Sequence, residues 1–196
     1  MLNYSPASEK NKHVILTKLA DFLADKPELL EIGSGSGQHA IYFARHLPNL
    51  IWQTSELADA VASLKENVKQ YAPENVLSPV LLDVCKHPWP VQQSAAIYTA
   101  NTLHIMPWNS VVQLFKGAGE VLSQRGVLSI YGPFKYSGEF TTQSNADFDQ
   151  WLKRTNPLSG VRDFEAVNQL AIDQGLSLVK DYSMPANNQL LIFKPD

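Results

Sequence analysis

The sequence predicts an α/β fold: a seven-stranded, mostly parallel sheet with an antiparallel terminal strand and helices on both faces. Three features predict it. Apolar runs of strand length alternate with amphipathic stretches of helix length, the pattern of right-handed βαβ crossovers. The first run, Leu29-Leu30-Glu31-Ile32, opens directly into a loop with glycines at 33, 35 and 37 and then into a helix. The last two runs are joined through Met184-Pro185-Ala186-Asn187, a link that permits a hairpin and is too short for a parallel crossover.

Taken in order, Ser5-Pro6 starts a helix whose apolar stripe is Val14, Ile15, Leu19, Phe22 and Leu23, and Asp25-Lys26-Pro27 stops it. The glycine loop follows the first strand. Residues from about Gly37 to His46 form the next helix, with Ile41, Tyr42 and Ala44 available for packing. Pro48-Asn49 turns the chain into a second strand at Leu50–Ser55, with Glu56 at its end and a helix from about Leu57 to Tyr71. Pro79–Val84 reads as a third strand containing Asp83, and Ala95–Asn101 as a fourth. A helix spans about Trp108–Leu122 and a fifth strand Gly126–Tyr131. Ser144-x-x-Asp147 resembles a capping box that opens a helix to about Arg154. Asn156-Pro157-Leu158-Ser159-Gly160 breaks it, and a further helix runs from Asp163 to Gly175. Leu176–Val179 and Asn188–Phe193 complete the sheet.

At 196 residues the chain is expected to be one domain, 1–196, with an N-terminal helix at about 5–25 and a lid-like insertion at about 133–163. A net charge of −3 gives no global basic field for nucleic acid or an anionic membrane. The single Cys85 excludes an internal disulfide and fits a reducing compartment. The start of the chain does not read as a signal peptide, and no apolar run is long enough to span a bilayer. A cytoplasmic location is therefore expected, with no nucleic-acid or membrane partner.

The chemistry centres on Glu31-x-Gly33-x-Gly35-x-Gly37. Glycines suit a turn that takes φ > 0 and lets a ligand approach the backbone, and the following helix offers free N–H groups. A P-loop would end in Gly-Lys-Ser/Thr, which is absent; a dinucleotide fingerprint would place its third glycine one residue later, where Gln38 stands. In open α/β sheets ligands lie outside the carboxyl ends of the strands. Four such ends carry the glycine loop, Glu56, Asp83 and Asn101. Glu56 falls about 20 residues beyond the loop, where a carboxylate accepts ribose hydroxyls. The bland alternatives are a ligand-free glycine turn, a helix-opening Glu56 and a turn aspartate at Asp83.

The loop resembles the E/D-x-G-x-G-x-G loop of class I S-adenosylmethionine (SAM)-dependent methyltransferases. Further motifs resemble the methyltransferase-like 26 family across nearly the whole chain. They are Ser5-Pro6-Ala7-Ser8-Glu9-Lys10-Asn11, Trp52-Gln53-Thr54-Ser55-Glu56, Asn101–Trp108, Tyr131-Gly132-Pro133-Phe134, Ser144-Asn145-x-x-Phe148-Asp149, Gly160-Val161-Arg162-Asp163 and Met184–Asn188. One departure is Thr54-Ser55-Glu56, where that family carries Pro-Ser-Asp.

The resemblance implies a Rossmann-like class I methyltransferase fold and SAM as cofactor, held by Glu31, Gly33, Ser34, Gly35, Gly37, Glu56, Asp83, Val84 and Asn101. Asp83 then accepts the adenine amino hydrogen. Asn101 and His104 lie where this superfamily places groups near the transferred methyl, with His104 either a base or a pocket wall. Asn101 lacks the Pro-Pro-Tyr of amino-methylating nucleic-acid enzymes, so a small-molecule acceptor is expected. Tyr131, Phe134, Arg162, Asn187 and Asn188 are its candidate contacts, with Tyr136 and Phe140 as further lid aromatics. Arg162 and Lys135 are the basic residues expected at this edge. His13, His39, His46 and His87 show no metal-ligand spacing and read as structural, so no metal is expected. Two other functions remain open: a SAM- or nucleoside-binding module without catalysis, and a nicotinamide-dependent oxidoreductase, which the glycine spacing disfavours.

Overall fold

A computed structural model describes residues 1–196. Helix α1 (Pro6–Leu23) begins where the sequence marks it: the Ser5 hydroxyl accepts the Ser8 N–H at 3.2 Å and Pro6 fills the first position. Then come β1 (Glu28–Ile32), α2 (Gln38–His46), β2 (Ile51–Glu56), α3 (Val61–Tyr71), β3 (Val76–Leu81) and β4 (Ser94–Ala100). Helix α4 (Trp108–Val121) passes straight into β5 (Leu122–Gly132). After β6 (Phe134–Tyr136), β7 (Glu139–Phe140), α5 (Gln143–Thr155), β8 (Arg162–Asp163) and α6 (Phe164–Ile172), the chain ends in β9 (Leu176–Met184) and β10 (Asn188–Pro195).

The seven-stranded sheet has the order β3-β2-β1-β4-β5-β10-β9. Strands β1 to β5 pair in parallel, and β10 lies antiparallel between β5 and β9. The α/β class, the seven strands and the antiparallel terminal strand are thus as the sequence predicts. The order reverses between β1 and β4, so their carboxyl ends splay apart there and open a crevice.

Two cores flank the sheet. On one face α1, α2 and α3 bury Ile15, Leu19, Phe43, Ala44 and Leu64 against Trp52, Tyr98 and Leu190. On the other, α4 and α6 bury Val111, Leu114, Phe115, Val167 and Ala171 against Ile97, Leu128 and Phe193. Phe43 is fully buried, with its ring 5.6 Å from that of Trp52 and 5.7 Å from that of Tyr98.

Several boundaries differ from the sequence reading, each for a physical reason. β3 occupies 76–81 rather than 79–84, because it is an edge strand that tolerates Pro79 where its register with β2 shifts, between Gln53 and Ser55. α3 starts at Val61, because Leu57–Ala60 close a turn in which the Ala60 and Val61 N–H groups both donate to Leu57 O. The cap of α5 is Thr142, whose hydroxyl accepts the Asn145 N–H at 3.3 Å, and Ser144 lies inside the first turn. The stretch at 133–163 contains a second sheet, in the order β7-β6-β8, which no hydrophobic period announced. No helix is long and apolar enough to cross a membrane.

The Phe43 packing sets a stability test. Phe43→Ala should destabilise the fold by about 3–5 kcal/mol, the usual scale for emptying a fully buried phenylalanine site. Urea unfolding followed by tryptophan fluorescence measures it, through Trp52 in the same cluster.

A cleft over the strand ends as the candidate functional site

The glycine loop is stitched between β1 and β2. Ser34 N donates to Ser55 O at 2.9 Å, and the Ser55 hydroxyl donates to Glu31 O at 2.6 Å. Gly33, Gly35 and Gly37 have φ of +69°, +57° and +81°. Gly35 is the one whose missing side chain faces open space: no atom stands within 4 Å of where its Cβ would lie. At Gly33 a Cβ would meet Thr102 Cγ2 at 2.8 Å, and at Gly37, which caps α2, it would meet Leu64 at 3.0 Å. Gly35 therefore leaves room for a ligand, whereas Gly33 and Gly37 leave room for protein.

A cleft of about 1200 Å³ lies over these strand ends. That exceeds the roughly 300–1,000 Å³ of a single small-ligand pocket and leaves room for more than one small molecule. Gly33, Ser34, Gly35, Glu31, Glu56, Asp83, Val84, Asn101, His104, Tyr131 and Asn188 all line it, so most of the sequence-predicted site residues converge.

The Glu56 carboxylate sits at the tip of β2. Oε2 accepts the Gly35 N–H at 2.8 Å and Oε1 the Leu57 N–H at 2.9 Å. Each oxygen keeps a lone pair for a ligand hydroxyl. Asp83 lies two residues beyond β3, with Oδ1 accepting the Cys85 N–H at 3.0 Å. Glu31 is almost wholly buried and accepts the Trp52 indole N–H at 3.0 Å. Burial pushes its carboxyl up to about 7; the bonds from Trp52 and Ser34 oppose this, and the Glu56 charge adds to it.

Asn101 follows β4 in the left-handed region, with φ of +59°. His104 is 6% exposed, has no side-chain hydrogen bond, and meets Phe148 edge-on at 5.3 Å between ring centres. Burial, with the Arg162 charge, pushes its imidazole down to about 4, so it is neutral at pH 7.

Four predicted contacts have other places. Phe134 is fully buried in the α4/α6 core. Arg162 braces the loop after β4, donating from Nε to Leu103 O at 2.9 Å and from Nη2 to Met106 O and Leu158 O. Asn187 pins α5: its Nδ2 donates to Ser144 Oγ and its backbone oxygen accepts from Asn145, both at 2.9 Å. Tyr136 is a strut rather than a lid, donating to Asp181 Oδ2 at 2.6 Å and stacking on Phe164. Lys135, expected at this edge, does not line the cleft either and lies over Phe140.

Sequence reasoning missed the wall that α1 supplies. Ser8, Lys10 and Asn11 line the cleft, and Lys10 is the only lysine or arginine that does so. His39, read as structural, also lines it and is anchored to Asn11 Oδ1 at 2.7 Å. A signal existed: Asn11, Ile15 and Leu19 share one ridge at i, i+4 spacing, and a polar residue on such a ridge is buried with a partner. The N-terminal segment is tied down by Gln38 Oε1, which accepts from Ser5 N and Ser36 Oγ, and by Asn67, which bonds both Leu2 N and Leu2 O at 2.8 Å.

This fold is that of the class I SAM-dependent methyltransferases. The chain is similar to an O-methyltransferase family protein from Burkholderia thailandensis, with a TM-score of 0.85, 16% identity, and coverage of 97% of this chain and 56% of that one. Human N-acetylserotonin methyltransferase in complex with SAM gives a TM-score of 0.80, 15% identity, 96% and 52% coverage. A methyltransferase of calicheamicin biosynthesis in its S-adenosylhomocysteine (SAH)-bound form gives 0.72, 17%, 96% and 54%. The chain spans about half the length of these structures. By sequence it belongs to the family described as "Protein of unknown function (DUF938)", matched over residues 2–195.

Glu31 generates a prediction about pH. Its carboxyl is raised from 4.5 to about 7 in the fold, so between these values the folded state binds more protons than the unfolded chain. Its contribution therefore opposes folding increasingly as pH rises through this window. Urea midpoints at pH 5 and pH 7.5 should show the wild type losing stability relative to Glu31→Gln. Parallel pH curves would mean that the carboxyl does not titrate there.

Proposed function

We propose that this chain is a SAM-dependent methyltransferase acting on a hydroxyl oxygen of a small molecule, and we read it as a methyltransferase-like 26 protein on the motif set quoted above. One observation carries the reading: a single cleft joins the open space at Gly35 and the carboxylates of Glu56 and Asp83 to the unpartnered imidazole of His104. The O-methyltransferases of similar fold support it.

Bound SAM supplies an electrophilic methyl on a sulfonium sulfur. Glu56 would accept the ribose hydroxyls and Asp83 a hydrogen of the adenine amino group, beside the space at Gly35. Asn101 and His104 would position the acceptor oxygen, and much of the rate of such a displacement comes from alignment. His104 takes the acceptor's proton. An imidazole held at about 4 is a weak base, but an oxygen that is gaining a methyl becomes strongly acidic, so a weak base suffices.

Calorimetry with SAM, SAH and NAD tests the reading: SAM and SAH should bind, and binding of NAD alone would overturn it. Gly35→Val should abolish cofactor binding in a folded protein, through a Cβ placed in the ligand space at positive φ. Glu56→Ala should weaken binding by roughly 1–3 kcal/mol, the scale for hydrogen bonds to a charged group.

A further inference from the structure

Building on the transfer proposed above, we infer that the acceptor is a hydroxyl compound with a second, separated oxygen function, a carbonyl or carboxylate, which Tyr131 anchors across β5 from His104. The first support is a buried chain of polar groups on the face of the sheet where Tyr131 also packs. The Tyr98 hydroxyl lies 3.2 Å from His39 Nδ1, and His39 Nε2 lies 2.7 Å from Asn11 Oδ1. A carbonyl oxygen only accepts, so the single ring proton of neutral His39 sits on Nε2, and Nδ1 accepts from Tyr98. With Oδ1 engaged, Asn11 has only amide hydrogens to offer the cleft that Tyr131 also lines. Asn188, which also lines the cleft, donates from its amide nitrogen to Pro185 O at 3.2 Å and Ala186 O at 3.1 Å.

Tyr131 lines the cleft, and no protein atom accepts its phenol proton. Tyr131 is 2% exposed yet lines the cleft, and burial keeps it protonated at neutral pH. It is a donor available to an oxygen of a ligand in the cleft.

The second support is the geometry across β5. Consecutive strand residues face opposite sides of a sheet. Tyr131 packs on the α1 face, whereas His104 Nδ1 lies 3.6 Å from where a Cβ on Gly132 would stand. The donor and the proton acceptor thus flank the end of one strand from its two sides. A ligand that meets both carries its oxygens apart, not on adjacent atoms. Phe148, edge-on to His104 and stacked on Trp151 at 5.8 Å, gives the space between them an aromatic wall suited to a flat molecule.

The test is a methyl-transfer screen with radiolabelled SAM on the full chain. It compares phenol and 4-methylphenol with 4-hydroxybenzaldehyde, 4-hydroxybenzoate and their 3-hydroxy isomers, with SAH affinity measured in parallel. Turnover is expected only among the carbonyl and carboxylate compounds. Tyr131→Phe should raise their KM about tenfold or more with little change in kcat and none in SAH affinity, and Asn11→Leu should do the same to a smaller degree. Equal turnover of the compounds lacking a second oxygen, or no turnover of any carbonyl or carboxylate compound by a protein that binds SAH, would overturn the inference. So would an equal loss of SAH affinity in Tyr131→Phe, which would assign the phenol to the cofactor. Failure of SAH itself to bind would instead overturn the transfer reading on which this inference rests.

Discussion

The structure depends on one constraint: the chain must leave β1 in a turn with three positive-φ glycines and still stay hydrogen-bonded to β2. Ser34 N to Ser55 O and Ser55 Oγ to Glu31 O hold the loop to its neighbour strand, and Gly35 N to Glu56 fixes the carboxylate at the strand tip. The two strand ends therefore move as one unit. Because the sheet order reverses between β1 and β4, this unit lies at the edge of the crevice rather than under a helix. Thr99 secures the far side, with its hydroxyl donating to Ile32 O at 2.9 Å and lying 2.6 Å from Thr102 Oγ1. The Thr102 methyl then fills the space that the absent side chain of Gly33 leaves.

The face of the sheet under α1 and α2 is unusual in mixing a hydrophobic core with Glu31, His39, Tyr98 and Asn11, all buried. Burying such groups costs free energy unless each is paired. Here Trp52, Tyr98 and Asn11 supply the partners, and the same bonds bring α1 onto the cleft. Stability on this face and the shape of the site are thus set by one network. The opposite face, under α4 and α6, is mostly aliphatic and aromatic, and there Phe134 and Phe193 pack without touching the cleft.

What was legible in the sequence was local. The glycine loop, the acids at strand ends and the first helix cap depend on neighbours within a few residues, and the structure keeps them where the period places them. What escaped depends on contacts between distant segments. Arg162 reads as a candidate contact for the acceptor, yet it spends its donors on three backbone oxygens of two loops. Asn187 and Asn188 are neighbours in one turn, but positive φ at Ala186 and Asn187 sends Asn187 toward α5 and leaves Asn188 on the cleft. Lys10 and Asn11 were missed because the packing of a helix against a distant loop, here through Gln38 and Asn67, leaves little trace in its own sequence.

The charges in the cleft are unevenly placed, and this bears on what it admits. Glu31, Glu56 and Asp83 all belong to the β1–β3 side, which attracts a cation. Past β4 the cleft has no carboxylate: its polar groups are amides, hydroxyls, a phenol and a neutral imidazole. Beside it lies Arg162, whose guanidinium donates to backbone oxygens and whose charge helps hold His104 neutral, while Lys10 lines the cleft from α1. A cationic ligand therefore settles on the β1–β3 side, and the other end favours a neutral or anionic molecule. A single network of backbone and side-chain bonds thus gives the two ends of one cleft different electrostatic characters.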